Sequence, residues 1–174
     1  MFDEHKALYA LAEHVGGMLQ ARGDLLGTAE SCTGGGLGWV LTAVPGSSAW
    51  FERGWVTYSN QAKQQCLKVT PETLARDGAV SAATAEAMCS GVLAHAPVTW
   101  ALAVTGVAGP MGGSSEKPVG TVFIAWQCRD AAADSQKFVF AGDRDSVRKQ
   151  TIEQALLGLE VRLGAAASVV PGLS

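Results

Sequence analysis

The sequence predicts an α/β layered fold, with helices on both faces of a largely parallel sheet. Helix-periodic segments alternate with short apolar runs along the chain, and this alternation builds strand–helix–strand units. Two of those runs, "LLGTAE" and "VTWALAVTG", are mostly apolar, as strands covered on both faces are. The 174 residues, 48% hydrophobic and 17% charged, suffice for one compact core.

Leu8, Leu11, Ala12, Val15, Met18 and Leu19 recur at helical spacing, which predicts an amphipathic helix over residues 3–22. "LLGTAE" follows as a buried strand. "GGGLGWVLTAV" reads as a helix opened by glycines and stopped by Pro45 and Gly46. "GWVTYS" has strand composition, and Asn60 stands as N-cap of a short helix in "NQAKQQCL". "SAATAEAMCSGVLAHA" is helical, capped by Ser81 and ended by Pro97, and "VTWALAVTG" is the next strand. A long glycine- and proline-rich loop, "VAGPMGGSSEKPVG", leads to the strand "TVFIAWQC". "KFVFAG" is strand-like, close enough to pair with it as an antiparallel edge, and residues 145–163 form a closing helix. There is no repeat and no linker, so residues 1–164 are expected as one domain and 165–174 as a frayed tail.

Composition narrows the function classes. A net charge of −3 with no basic face argues against nucleic-acid binding. The first twenty residues carry acids where a secretory leader needs a basic stretch, and no charge-free apolar twenty-mer spans a membrane. Cys32, Cys66, Cys89 and Cys128 stand far apart and read as reduced thiols, so a cytoplasmic location is expected. Acids, histidines and cysteines never gather at ligand spacing, so neither metal nor cofactor is expected.

"TAESCTGGG", residues 28–36, lies between a strand and a helix, where helix N–H groups receive an anion. It lacks the Lys-Ser/Thr ending of a phosphate-binding loop, and the glycine spacing of "GGGLG" is wrong for a dinucleotide fold. Two readings stay open: a tight packing turn, or a nucleophile turn presenting Ser31 beside oxyanion donors. A serine needs a base. His5, His14 and His95 read as structural, which leaves a Ser-His-Asp triad without support. Tyr58 and Lys63 stand five apart across a strand-to-helix turn, where both can reach one point. A lysine base must be neutral, which costs about 4–5 kcal/mol at pH 7 unless burial lowers its pKa. Thr105 is the first polar side chain past a buried strand, where α/β sheets bind ligands. Arg144 and Arg148 share a helical face behind the cap Asp143, as solvated ion pairs or as an anion clamp.

Taken in order, "AESCTGG", "PGSSAWFERGWVTYSNQAK", "GAVS", "VTGVAGPMGGSSEKPVGTV" and "GDRDSVRKQ" resemble the CinA C-terminal domain family. The likeness covers about residues 5–163 and is strongest to the family's stand-alone nicotinamide mononucleotide deamidases. It implies a three-layer α/β/α sandwich and a homo-oligomer. The implied activity is an amidohydrolase that converts nicotinamide mononucleotide to nicotinate mononucleotide and ammonia in pyridine-nucleotide recycling. On the matching motifs, Ser31 is the nucleophile, Tyr58 and Lys63 activate it, Thr105 and Gly106 line the site, and Arg144 is an active-site cation. Thr33, Gly34 and Gly35, at the helix start, bind substrate and supply oxyanion donors. The chain departs from the family pattern at Met111, where a small polar or acidic residue is usual, and at Ala82 and Ala83. The rivals are a non-catalytic nucleotide-binding or sensor module, and a hydrolase using Cys32. Adjacent side chains point apart, so only one of Ser31 and Cys32 faces the cleft, and Cys32 is expected to pack inward.

Overall fold

The computed structural model describes residues 5–167. β1 (Leu26–Glu30) is an inner strand of its sheet, buried along its whole length. β2 (Phe51–Val56) pairs with it in parallel on one side, and β3 (Trp100–Gly106) in parallel on the other. β4 (Thr121–Cys128) runs antiparallel to β3, and β5 (Asp134–Val139) antiparallel to β4, giving the order β2-β1-β3-β4-β5. The sheet is therefore mixed in equal parts, with one more antiparallel pairing than the strand-like "KFVFAG" suggested. The reason lies in residues 107–120. A parallel successor to β3 needs a crossover back to the strand's starting end, and this loop holds no helix to make one.

Helices cover both faces. α1 (Lys6–Arg22), α2 (Gly36–Thr42) and α6 (Arg144–Ala167) pack Leu19, Leu37 and Leu156 against Leu26, Leu102 and Trp126. α3 (Asn60–Leu67), α4 (Pro71–Asp77) and α5 (Ala82–His95) bury Leu67, Leu74 and Met88 against Ala29, Ala101 and Ala103. Alanines on this side of the sheet let the helices approach closely.

Several boundaries differ from expectation, for local reasons. The cap of α3 is Ser59, whose hydroxyl accepts from the Ala62 N–H at 3.0 Å, and Asn60 is already helical. α4 has no counterpart in the sequence reading, although Thr70 caps it and Pro71 opens it. Ser81 caps α5 as expected. β5 begins at Asp134 and ends at Val139, and the Phe140 N–H beyond it donates to the Gly120 carbonyl. α6 continues to Ala167, past the expected start of a tail, and residues 3–4 and 168–174 lie outside the described residues.

Candidate active site

The C-terminal ends of β1, β2 and β3 converge, and the polar residues the apolar strands carry gather there. Ser31 prolongs β1 by one residue, donating its N–H to the Val104 carbonyl at 3.0 Å. The chain then turns sharply through Gly34 and Gly35, both left-handed at φ +60 and +95, into α2. Glycine is required at both places because a Cβ strains that backbone.

Lys63 approaches from the α3 side. It is 1% exposed, and its Nζ lies 3.0 Å from Ser31 Oγ while donating to the Thr57 carbonyl at 2.8 Å. Burial, the larger influence, pushes the Lys63 pKa below the ordinary lysine value, and the Cys32 sulfur opposes it weakly. A protonated Lys63 donates to Ser31 Oγ, whereas a neutral one accepts the serine proton. The contact thus serves a base as well as a cation. Cys32 is 5% exposed, and burial pushes its thiol up to about 12, so it stays protonated at neutral pH and is a poor nucleophile.

Tyr58 and Lys63 do not meet. The Tyr58 ring is mostly exposed, and its hydroxyl accepts from Arg144 Nη2 at 2.8 Å. Arg144 also donates through Nη1 to the Gly109 carbonyl at 2.8 Å, joining the β2–α3 corner to the 107–120 loop. Between them opens a cleft of about 240 Å³, lined by Cys32, Tyr58, Gly106, Gly109, Met111 and Arg144. Cys32, expected to pack inward, thus borders the cleft although nearly buried, with Ser31 adjoining it in the chain. Met111 stands at its rim, 86% exposed.

The remaining candidates separate into lining and framework. Gly106 lines the cleft, but the Thr105 hydroxyl is buried and donates to the Ala79 carbonyl at 2.7 Å. The Gly34 N–H donates to the Ser31 carbonyl, and the Gly35 N–H and Thr33 hydroxyl donate to the Glu30 carboxylate. Arg144 and Arg148 part company: Arg148 Nη2 donates to the Thr33 carbonyl at 2.8 Å, behind the turn. Ser81 holds the Gly78 carbonyl as well as its cap, neither through the alanines at 82 and 83. His14 meets Glu160, and His95 meets the Gly91 carbonyl, both away from Ser31.

Glu30 escaped the sequence reading. It ends an apolar strand, and nothing local shows where its side chain goes; an acid followed by "SCTGGG" was the one visible hint. In the fold it is 2% exposed, and its carboxylate accepts four hydrogen bonds. Among the described residues, no three His, Cys, Asp or Glu side chains gather where they could hold a metal ion.

Known proteins share this arrangement of sequence and fold. Residues 8–163 match the model of the CinA C-terminal domain. The nicotinamide-nucleotide amidohydrolase PncC of Escherichia coli K12 is 50% identical over 149 residues, covering 86% of this chain and 90% of the relative. The protein of the same name from Pseudomonas putida is 49% identical, covering 86% and 92%. The crystal structure of competence damage-inducible protein A from Klebsiella pneumoniae superposes with a TM-score of 0.87 at 42% identity, over 90% of this chain and 97% of that one. A family match across nearly the whole described chain, with the same fold, places this protein in the CinA C-terminal domain family.

Proposed function

We propose that this protein is a nicotinamide-nucleotide amidohydrolase, releasing ammonia from nicotinamide mononucleotide with Ser31 as nucleophile and Lys63 as its base. The observation that carries the reading is the 3.0 Å contact between a buried lysine amine and the serine hydroxyl, beside an open cleft. Relatives named for this activity, about 50% identical over most of the chain, supply the substrate class.

The chemistry follows from the residues. Neutral Lys63 takes the Ser31 proton as Oγ attacks the carboxamide carbon, forming a tetrahedral oxyanion. Most N–H groups of the turn are engaged within it, which leaves those of Cys32 and Thr33, beside the Cys32 sulfur, as the oxyanion donors. Lys63 then protonates the leaving nitrogen, and ammonia departs. Water, deprotonated by the same amine, attacks the acyl-serine ester; the C–Oγ bond breaks, Lys63 returns the proton to Ser31 Oγ, and nicotinate mononucleotide leaves. Arg144 supplies the positive charge in the cleft for the substrate phosphate. Among the described residues no helix is long and apolar enough to cross a membrane.

The test incubates purified protein with nicotinamide mononucleotide and assays ammonia. Wild type is expected to release it, in chelator as readily as without, and Ser31→Ala to be inactive while still folded. Substantial activity in Ser31→Ala, with Cys32→Ala dead, would hand the nucleophile to the thiol.

A further inference from the structure

We infer that Glu30 is a positioning residue for the nucleophile, its carboxylate fixing the turn that carries Ser31; this rests on the serine amidohydrolase reading above. One carboxylate oxygen accepts from Thr33 Oγ1 at 2.6 Å, the Gly35 N–H at 3.0 Å and the Leu37 N–H at 2.9 Å. The other accepts from the Gly38 N–H at 2.8 Å. A buried carboxylate without such donors is costly, and this one has its charge met entirely by the segment after Ser31.

The main chain of Glu30 is held as firmly. It lies in register with Val104 on β3 and Val56 on β2, and its carbonyl accepts from the Thr57 N–H at 2.8 Å. Backbone pinned to the sheet and side chain clamped to residues 33–38 close a short loop around Ser31. Arg148 grips the Thr33 carbonyl from outside that loop.

A buried acid next to a serine–lysine pair has another conceivable role, as counter-ion or third proton carrier. The contacts argue against it. Lys63 Nζ meets Ser31 Oγ and the Thr57 carbonyl, whereas Glu30 points to α2 on the opposite face of the sheet. Among the described residues no carboxylate bonds Lys63 Nζ to hold its proton, and the acid contributes geometry. A misplacement of about 1 Å in such a site costs on the order of a hundredfold in rate.

The experiment compares Glu30→Gln, Thr33→Val and Thr33→Ser in the full chain. It measures kcat and KM for nicotinamide mononucleotide, the folded fraction by circular dichroism, and the rate at which a fluorophosphonate labels Ser31, read by peptide mass. An amide at position 30 must turn an N–H toward one of its former donors. Glu30→Gln is expected to lower kcat per folded molecule by roughly ten- to a hundredfold, with labelling slowed in parallel and KM within about threefold. Thr33→Val should lose roughly threefold to tenfold in both rates, and Thr33→Ser, which keeps the hydroxyl, should restore them. Folded Glu30→Gln with wild-type kcat and labelling overturns the inference. If Glu30→Gln does not fold, equal rates for the valine and serine variants overturn it instead. A wild type that labels at Ser31 but releases no ammonia defeats the substrate reading alone, and labelling still decides the role of Glu30. A wild type that does neither overturns both.

Discussion

Lys63 exchanges its water for two oxygen neighbours, and that exchange gives the site its pH dependence. Between its lowered folded pKa and the ordinary value of about 10.4, the unfolded chain binds a proton at this amine that the folded chain has released. Stability at this residue therefore rises with pH across that window. Below the folded pKa, the full cost of burying the ammonium remains. Lys63→Met is thus expected to unfold at the same temperature or higher near neutral pH, by up to about 2 kcal/mol, while losing turnover. Thermal melts and ammonia assays on one preparation check both halves. Combining it with Ser31→Ala should cost little more than either change alone, because the two act as a unit. In wild type, kcat/KM should climb with pH and level off above the Lys63 pKa, since only the neutral amine is a base. A flat profile from pH 6 to 10 would remove Lys63 from that role. Arg144 and Tyr58 call for a different measurement. Arg144→Ala should lower kcat/KM for the mononucleotide roughly ten- to a hundredfold, and far less for the phosphate-free riboside. Tyr58→Phe removes only the acceptor for Arg144 Nη2, so KM should rise by no more than about tenfold with kcat preserved. Collapse of kcat in Tyr58→Phe would return the tyrosine to the chemistry.

α3 shows which parts of the site the sequence could reveal. Its composition and a nearby capping residue are visible in "YSNQAKQQCL", yet Ser59 and Asn60 are both good caps, and only the backbone chooses between them. That choice separates Tyr58 from Lys63. Lys63 sits one turn into the helix, with its side chain leaning back toward the strand ends, whereas Tyr58 precedes the cap and faces out. A five-residue spacing could not show this. β1 and the glycine turn were legible because a cluster of glycines and a largely apolar run are local signals. Glu30 was not, because its four donors exist only once α2 has folded back over it. The same limit split Arg144 from Arg148, which share a helix but reach different neighbours. α4, by contrast, carries its start signal in the local sequence, Thr70-Pro71-Glu72. Since α3 delivers Lys63, Ser59→Ala should cost about 1 kcal/mol of stability and lower kcat while leaving KM nearly unchanged. Denaturant melts beside steady-state kinetics give both numbers; an unaltered kcat would show that the first turn of α3 does not govern the lysine.

The strand order makes β1 the point where the chain reverses direction across the sheet. β1 passes through α2 to β2 on one side, and β2 passes through α3, α4 and α5 to β3 on the other. Right-handed crossovers that advance in opposite directions must lie on opposite faces, as α2 and α5 do. A crevice results where the helices diverge, at the carboxyl ends of the parallel strands, and the nucleophile and its base enter it from different layers. Ser31 is set by the α2 layer and Lys63 by the α3–α5 layer. Their separation therefore depends on packing far from the cleft. One such contact lies at Gly91 of α5, where a Cβ would stand 2.2 Å from the Leu67 carbonyl oxygen and 2.8 Å from its Cβ. Leu67 ends α3 on the same buried face as Lys63, one turn away. Gly91→Ala must push α3 outward and carry the lysine with it. The overpacking should destabilise the protein by about 1–3 kcal/mol. At a temperature where the variant is still folded, kcat should fall by on the order of tenfold or more, while KM holds, because the cleft that binds substrate is lined by other segments. Melting curves and kinetics on Gly91→Ala, with Gly17→Ala as a control in open space, separate the two effects. A destabilised Gly91→Ala with unchanged kcat would mean that α3 slides without moving the amine, and that the cap at Ser59 alone places it.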